Sequence, residues 1–304
     1  MTAFALALVT RPWEPNPNDP GYLGSHAPRT AAPSIDAGSI NIVTLSGAGD
    51  IARCDGEADE ATARLLDDLP GFVFTAGDNA YEHGSARDFA LCYGPSWGRH
   101  RDRTFPTMGN HDFETPGAAA YFDYFGDWAG SRGAGWYAVD LGGWRLIVLN
   151  SLCARAGGCG PESAQGRWLA DELATHARTC TVAIWHHPLF TTGDHGPTRA
   201  ARQFWEPLYA AGVELVVNGH EHNYERFVPL DPGGSEDPTR GIRQFVVGTG
   251  GGELRGFPRD ARTSAARHSG HGVLRLDLFA GGYSWEFVPV ADGSFSDSGS
   301  GTCH

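Results

Sequence analysis

Histidine, aspartate, asparagine and tyrosine side chains follow several apolar runs of this chain, at the points where the runs end. One stretch, WHHPLFTTGDHGPT from Trp185 to Thr198, holds three histidines within ten residues: His186, His187 and His195. A single histidine of this kind is more often a hydrogen-bonded core residue than a ligand, and a single Gly-Asp is more often a turn. The other run ends therefore decide how these histidines are interpreted.

Five apolar runs end in polar groups of the same kinds. NIVTLSGAG is followed by Asp50, and GFVFTAG is followed by Asp78, with Tyr81 three residues further on. RTFPTMG, CTVAIW and VELVVNG are followed by Asn110-His111-Asp112, His186-His187 and His220-Glu221-His222. Because ligand sites of open α/β sheets form outside the carboxyl ends of strands, five such ends predict one polar cluster.

The side-chain types in this cluster are ligands for hard or borderline metal ions. Carboxylate, imidazole, carboxamide and phenolate groups suit such ions better than soft ones. His220 and His222 are two residues apart, so in an extended segment they point to the same side and can reach neighbouring ions. One carboxylate can bridge two ions about 3.5–4 Å apart, the spacing that clamps a phosphoryl group during in-line displacement. The cluster therefore predicts a two-metal hydrolytic centre.

The motifs around these residues resemble those of the purple acid phosphatases, a group within the calcineurin-like metallophosphoesterases. In chain order they read GAGDIA, GDNAY, GNHD, AIWHHP and GHEH, the last within NGHEHNYER. The first motif departs from the Asp-x-Gly that the family often has, and the histidine strand ends in a doubled His. The resemblance implies an α/β fold, a four-layer αββα sandwich of two mixed β-sheets flanked by helices, with the bimetal site at the C-terminal ends of strands.

The resemblance also implies a ligand set. The first metal is Fe(III), held by Asp50, Asp78, Tyr81 and His222. The second is a divalent metal (Zn, Mn or Fe), held by Asp78 as the bridge together with Asn110, His186 and His220. His187 is left facing away or hydrogen-bonded behind the ligands.

Two further histidines are predicted to act on the substrate. His195 lies in GDHGPT, similar to an HGPT segment of animal acid phosphatases whose histidine acts near the leaving group. It is predicted to protonate the leaving oxygen, a contribution typically worth about 10²–10⁴-fold in rate; the competing interpretation is a histidine that only caps its loop. His111 is predicted to hydrogen-bond the phosphoryl oxygens as negative charge develops.

These features predict a metal-dependent phosphoric monoester hydrolase of the acid phosphatase type, in which a metal-bound hydroxide attacks a small phosphate ester. A phosphodiesterase of the same fold would use the same metals and is the first alternative. The second alternative is a non-catalytic phosphate-binding protein on this scaffold. Every ligand position is filled, which favours an enzyme.

The elements that must position these residues follow from the apolar pattern. The five runs above, with WRLIVLNS, RQFVVGTG, GVLRLDL and YSWEFVPV, are short and β-branched, which favours strands. Three amphipathic segments favour helices: Glu57 to Leu69, Ser163 to Arg178 with Ser163 as N-cap, and Thr198 to Ala211. No helix pattern follows GTGGGELRGF (248–257), so a tight loop near the site is predicted there. Glu225 and Arg226 are predicted to form an ion pair.

Residues 1–39 form a predicted Pro/Gly-rich N-terminal arm, and 40–304 a single metallophosphoesterase domain. The net charge of −13 and the lack of a Lys/Arg-rich run argue against a nucleic-acid or anionic membrane surface. No apolar run approaches the roughly 18 residues that span a bilayer. The predicted partner is a small phosphate ester, and the oligomeric state stays open.

The six cysteines allow two interpretations, buried free thiols or the disulfides of an exported protein. Cys153 and Cys159 flank ARAGG, a flexible loop that would close easily into a ring. Disulfides are favoured, with this pair as one bridge and two more among Cys54, Cys92, Cys180 and Cys303. A secreted or periplasmic location follows, although MTAFALALVTRP at the N-terminus is a poor signal peptide.

Overall fold

The structure, a computed structural model, describes residues 42–177, 180–290 and 295–304. The predicted arm at 1–39 lies outside the described residues. The strands are β1 Val43–Ala48, β2 Phe72–Thr75, β3 Thr104–Phe105, β4 Tyr137–Leu141, β5 Trp144–Val148, β6 Cys180–Ile184, β7 Leu215–Asn218, β8 Tyr224–Phe227, β9 Arg243–Val247, β10 Ser264–His268, β11 Gly272–Phe279, β12 Gly282–Pro289 and β13 Ser298–Thr302. The α-helices are α1 Ala58–Asp68, α2 Ala86–Asp88, α3 Ala119–Phe125, α4 Ala164–Thr175 and α5 Arg202–Ala211. Shorter helical segments are Phe89–Tyr93, Trp97–Arg103, Pro116–Ala118, Gly126–Ala129 and Arg199–Ala201.

The described strands form two mixed sheets. The first sheet has the order β13-β12-β11-β1-β2-β3, in which β1, β2 and β3 pair in parallel and the other pairs are antiparallel. The second sheet has the order β10-β8-β9-β7-β6-β5-β4, with β5, β6, β7 and β9 parallel. Helix α1 packs on the first sheet, and α4 and α5 pack on the second. This architecture confirms the predicted sandwich of two mixed sheets flanked by helices.

Alternation along the strands builds two apolar layers. Leu146 and Val148 of β5 belong to the core between the sheets, which also contains Leu45 of β1 and Leu276 of β11. Ile147, between them in sequence, belongs to a second layer. That layer also contains Leu169 of α4 and Phe204, Trp205 and Leu208 of α5. Since successive side chains of a strand point to opposite faces, the second sheet is buried on both sides.

The apolar runs identified in the sequence form strands as predicted, and the three predicted helices are α1, α4 and α5. Ser163 caps α4, its side chain accepting the N–H of Gly166 at 3.0 Å. The loop 248–257 is not followed by a helix and lies beside the polar cluster, because Gly252 N–H donates to Asp50 O at 2.7 Å. Strands β4, β8, β10 and β13 and the short helices on either side of β3, between Ala86 and Ala129, are additional.

The predicted ion pair between Glu225 and Arg226 is wrong. Arg226 pairs with Asp297 at 2.7 Å, whereas Glu225 accepts hydrogen bonds from Thr192 at 2.7 Å and Ser264 at 2.6 Å. Both residues lie in β8, where neighbouring side chains point to opposite faces of the sheet. Adjacent strand residues of opposite charge therefore find different partners.

All six cysteines form disulfides, as predicted. The bridges are Cys54–Cys92, Cys153–Cys159 and Cys180–Cys303. The last joins the start of β6 in the second sheet to the residue after β13 in the first sheet. Within the described ranges, the structure contains no helix of the length and apolarity that crossing a bilayer requires.

Candidate metal centre

Three of the predicted ligands lie in left-handed backbone conformation in the turns that follow strands. The φ angles are 58° at Asp50, 50° at Asp78 and 71° at His220. Non-glycine residues adopt positive φ only where the surroundings hold them there, and such positions cluster at functional sites. The His220 N–H donates to Asp50 Oδ2 at 2.7 Å and so links the end of β7 to the end of β1. The carboxyl end of β1 in the first sheet therefore meets the carboxyl end of β7 in the second sheet.

One group of side chains gathers around Asp50. The Tyr81 hydroxyl donates to Asp50 Oδ1 at 3.1 Å and lies 3.4 Å from Asp78 Oδ2. The His222 Nε2 atom lies 3.2 Å from the Tyr81 hydroxyl and 3.3 Å from Asp50 Oδ1. All four side chains are buried. They are the residues that the sequence assigns to the first metal.

A second group gathers around His186. Its Nε2 atom lies 3.2 Å from Asp78 Oδ2, 3.1 Å from Asn110 Oδ1 and 3.3 Å from His220 Nδ1. These are the residues assigned to the second metal, and Asp78 is common to both groups. Ligand atoms of Asp50, Asp78 and His186 all lie within 4.8 Å of one another.

The orientation of the histidines fits metal ligation. His186 Nδ1–H donates to Ala76 O at 2.8 Å, and His222 Nδ1–H donates to Glu253 O at 2.6 Å. Since a backbone carbonyl accepts from one ring nitrogen, the other is the nitrogen that can bind a metal once it loses its proton, and in both rings that nitrogen faces the carboxylates. Two carboxylates, a phenol, an amide oxygen and three imidazoles form a donor set for hard or borderline ions.

Burial and mutual charge set the protonation of the cluster. Burial alone raises the pKa of Asp78, but the adjacent His186 imidazolium outweighs it and holds that pKa below its usual value. Burial lowers the pKa of His186, but Asp78 outweighs it and the pKa rises to about 9. Burial, with the Asp50 and Asp78 carboxylates, raises the pKa of Tyr81 well above its usual range. Protons on His186 and Tyr81 thus accompany the buried carboxylates, and metal cations would replace them.

Glycines before two of the predicted ligands provide the clearance that the cluster requires. A Cβ atom on Gly109 would lie 2.1 Å from Asp78 Oδ1, and one on Gly77 would lie 2.4 Å from His186 Nδ1. Side chains of neighbouring elements therefore approach the backbone of the GD and GN turns too closely for any other residue. This contact explains in physical terms why the motifs begin with glycine.

A pocket of about 140 Å³ opens beside the cluster and contains both histidines predicted to act on substrate. Its lining residues are Arg53, Asp78, Tyr81, Glu82, Asn110, His111, His195, His220, His222, Glu253 and Arg255. The His195 ring stacks on His220 with centroids 4.4 Å apart. His111 lies edge-on to Tyr81 and its Nδ1 is 2.5 Å from Glu82 O.

His187 lies at the edge of the cluster. Its Nδ1 is 2.8 Å from Ser151 Oγ, and its ring centroid is 4.3 Å from that of His220. A ligand atom of His187 lies within 4.8 Å of those of His186 and His220. Burial and the neighbouring His186 lower the pKa of His187 to about 3, so this ring is neutral. The serine contact is consistent with a residue that supports the ligands.

Two buried carboxylates organise the site and were not assigned from the sequence. Asp112 accepts the backbone N–H groups of Asn79 at 3.0 Å and Gly109 at 2.9 Å, which ties the GDNAY turn to the GNHD turn. Glu221 accepts the N–H groups of His195 at 3.1 Å and Gly196 at 2.6 Å, which holds the histidine loop. The available signal was their position inside GNHD and GHEH, next to predicted ligands.

Comparisons with known proteins give one family. The model of the family described as calcineurin-like phosphoesterase matches residues 47–224. Purple acid phosphatase 15 of Arabidopsis thaliana is 26% identical over 263 residues, which cover 73% of this chain and 46% of that protein. Purple acid phosphatase 21 of the same plant is 30% identical over 213 residues, 64% of this chain and 47% of that protein. The chain spans less than half the length of these two relatives.

A solved structure gives the same fold. The purple acid phosphatase PPD1 from yellow lupin (Lupinus luteus) seeds superposes with a TM-score of 0.70 at 17% identity. The match covers 87% of this chain and 54% of that chain. At that identity the superposition establishes the sandwich architecture alone.

Proposed function

The chain belongs to the calcineurin-like phosphoesterase family and has purple acid phosphatases among its homologues, and from this premise we propose that it is a binuclear-metal phosphomonoesterase of the acid phosphatase type. The observation that carries the proposal is the convergence of seven side chains from five strand ends into two groups that share Asp78. A decayed, non-catalytic scaffold would lack members of this set, whereas every predicted ligand is buried or lines the pocket.

In this proposal Asp50, Asp78, Tyr81 and His222 hold Fe(III), and Asp78, Asn110, His186 and His220 hold a divalent zinc, manganese or iron ion. When bound, the two ions would supply Lewis-acid chemistry, neutralising phosphoryl charge and activating water. The Tyr81 phenol favours a trivalent ion at the first position, because its pKa is raised by burial and by two carboxylates and a strongly charged cation is needed to deprotonate it.

The remaining residues of the pocket act on the ester. His195 lies on a loop fixed by Glu221 and protonates the departing oxygen. His111 lies with its Nε2 4.0 Å from the shared Asp78 and hydrogen-bonds a phosphoryl oxygen as charge develops there.

The three disulfides support export as part of the same proposal. Disulfides persist in oxidising compartments and are rare in reducing ones. We therefore place the enzyme outside the cytoplasm, in a secreted or periplasmic setting, acting on small phosphate esters.

Turnover of matched esters tests the proposal. Metal-replete protein is expected to hydrolyse p-nitrophenyl phosphate at least about 10-fold faster than bis(p-nitrophenyl) phosphate, and chelation should abolish both activities. Elemental analysis should give two metal ions per chain. A faster diester rate would assign the phosphodiesterase alternative instead. Phosphate binding without turnover by the metal-replete protein would assign the non-catalytic one.

A further inference from the structure

The pocket wall carries two arginines that differ in their partners. Arg53 lies 2.9 Å from Asp55 and 3.0 Å from Glu82, so two carboxylates neutralise it. For Arg255, no carboxylate oxygen of the part of the chain that the structure describes lies within 4.0 Å of a guanidinium nitrogen. Its Nε atom is shielded from solvent and has no acceptor among the same residues. Arg255 therefore brings to the pocket a positive charge that no carboxylate of the described residues contacts directly.

The backbone of Arg255 is tied to a predicted metal ligand. The Arg255 N–H donates to His222 O at 2.9 Å, while His222 Nδ1–H donates to Glu253 O at 2.6 Å. On the other side, Ser269 Oγ donates to Arg255 O at 3.0 Å. Residues 253–255 thus contact both the backbone and the ring of His222. The Arg255 backbone is therefore fixed beside the residues predicted to bind the first metal. This backbone anchoring keeps the Arg255 side chain at the pocket wall.

A purely structural role does not account for this arginine. A buried donor without an acceptor destabilises the folded state, and structural arginines normally satisfy their guanidinium with carboxylates or carbonyls, as Arg226 does with Asp297. The planar guanidinium matches the two oxygens of a carboxylate or a phosphate. In a chain of net charge −13, an unpaired arginine next to the reaction pocket favours an anionic ligand.

We propose that Arg255 binds a second anionic group of the substrate, so that the preferred substrates are phosphate monoesters that carry another phosphate or a carboxylate. The scissile phosphoryl group lies at the Asp78 cluster, and the second group lies at Arg255. This inference rests on the proposed function and specifies its substrate class. Arg255 acts in binding and specificity and takes no part in the chemical step.

Binding of non-hydrolysable phosphonates tests the inference without turnover. Propylphosphonate carries no second anion, 3-phosphonopropionate carries a carboxylate, and propane-1,3-diphosphonate carries a second phosphonate. Calorimetry on metal-replete wild-type protein should show that at least one of the last two binds about 10- to 100-fold more tightly than propylphosphonate, the range for hydrogen bonds to charged groups. Which of the two gains more identifies the second group as carboxylate or phosphate. The gain should shrink as salt is added.

Substitution of Arg255 should remove the preference for phosphonates that carry a second anionic group, without changing the fold or the metal content. Arg255→Met is expected to equalise the three affinities, with the affinity for propylphosphonate within about 3-fold of the wild-type value. Arg255→Lys keeps the positive charge but lacks the planar guanidinium, so it should retain part of the preference. Arg53→Gln on the same wall is the matched control and should retain it, because Arg53 is already neutralised. Circular dichroism and metal content verify that each variant is folded and loaded.

Two results would overturn the inference: equal affinities in the wild-type protein, or an equal loss for all three phosphonates in Arg255→Met, which would place the arginine at the scissile phosphoryl group. If p-nitrophenyl phosphate is still hydrolysed in either case, only the inference fails. If the metal-replete protein neither hydrolyses that ester nor binds propylphosphonate, the proposed function fails with it.

Discussion

His195 is held near the cluster by a carboxylate, and that arrangement determines what the residue can do. Its backbone N–H and that of Gly196 both donate to Glu221, whose Oε2 also lies 3.6 Å from His195 Nδ1. The ring stacks on His220, yet the side chain remains about 30% exposed towards the pocket. An imidazole positioned in this way can exchange protons with a bound ester without serving as a metal ligand.

The first prediction concerns the leaving group. A poor leaving alkoxide needs a proton, whereas p-nitrophenolate departs without one. The loss of rate in His195→Ala should therefore be at least about 10-fold greater on an alkyl phosphate than on p-nitrophenyl phosphate, within the range for acid catalysis. Both metals should remain bound. His186→Ala should instead lose the second metal and slow both esters together, and His176→Ala, remote from the pocket, is the control. Equal losses on the two esters for His195→Ala would exclude proton donation.

The second prediction concerns Tyr81, whose hydroxyl lies among Asp50, Asp78 and His222. A phenolate bound to Fe(III) gives a visible charge-transfer band, and zinc or manganese at that position gives none. Tyr81→Phe should bleach the band and leave the far-ultraviolet circular dichroism unchanged. Tyr121→Phe, a buried tyrosine whose hydroxyl bonds Pro106 O, is the control and should keep the colour. Colourless wild-type protein with one Fe(III) per chain would refute the assignment of Tyr81.

At the scale of elements, the turns after the strands carry the site, and their glycines are the sensitive positions. The third prediction is that Gly109→Ala lowers metal content and reduces activity about 100-fold. A Cβ at this position would lie 2.1 Å from Asp78 Oδ1 and would displace that side chain. A displacement of about 1 Å in an active site can reduce the rate by about 100-fold. Gly143→Ala, in the β4–β5 turn with no atom within 4 Å of the new Cβ, is the matched control. Wild-type metal content in Gly109→Ala would show that the turn can shift without harm.

The elements also show what the sequence could predict. Asp50, Asp78, Asn110, His186 and His220 were identifiable because each follows an apolar run, and the ends of parallel strands must meet at one edge of a sheet. Topology brings Asp50, Asp78 and Asn110 to one edge of the first sheet, and His186 and His220 to one edge of the second. The approach of the two edges depends on how the sheets pack, which the local pattern does not encode. Strand β13, SGSGT, has no apolar alternation, and its place in the sheet comes from pairing with β12.

Local sequence patterns do not predict contacts between residues that are distant in the chain. The pairing of Arg226 with Asp297 spans 71 residues, and nothing near either residue indicates it. The backbone contact between Arg255 and His222 likewise arises from loop packing. Such contacts depend on how two distant segments approach each other, which a periodic pattern does not encode.

At the scale of the whole molecule, the site depends on two sheets keeping their relative position. Asp50 and Asp78 follow strands of the first sheet, whereas His186 and His220 follow strands of the second. The Cys180–Cys303 disulfide joins the sheets covalently, and the bond from His220 N–H to Asp50 Oδ2 joins them at the cluster. Loss of either connection would let the distance between the group around Asp50 and the group around His186 vary.

The fourth prediction ranks the disulfides by their effect on the free energy of unfolding. Cys180 and Cys303 are 123 residues apart, and Cys153 and Cys159 are six apart. Because a cross-link restricts the unfolded chain more when it closes a longer loop, the chain-entropy model gives about 5 kcal/mol for the first bridge and about 2 kcal/mol for the second. Double Cys→Ser variants of each pair, unfolded in urea with metals bound, should lose stability in that order. Unfolded, unreduced wild-type protein should show no titratable thiol. Equal losses for the two variants, or a larger loss for the short ring, would mean that native-state strain or residual structure in the unfolded chain outweighs loop entropy.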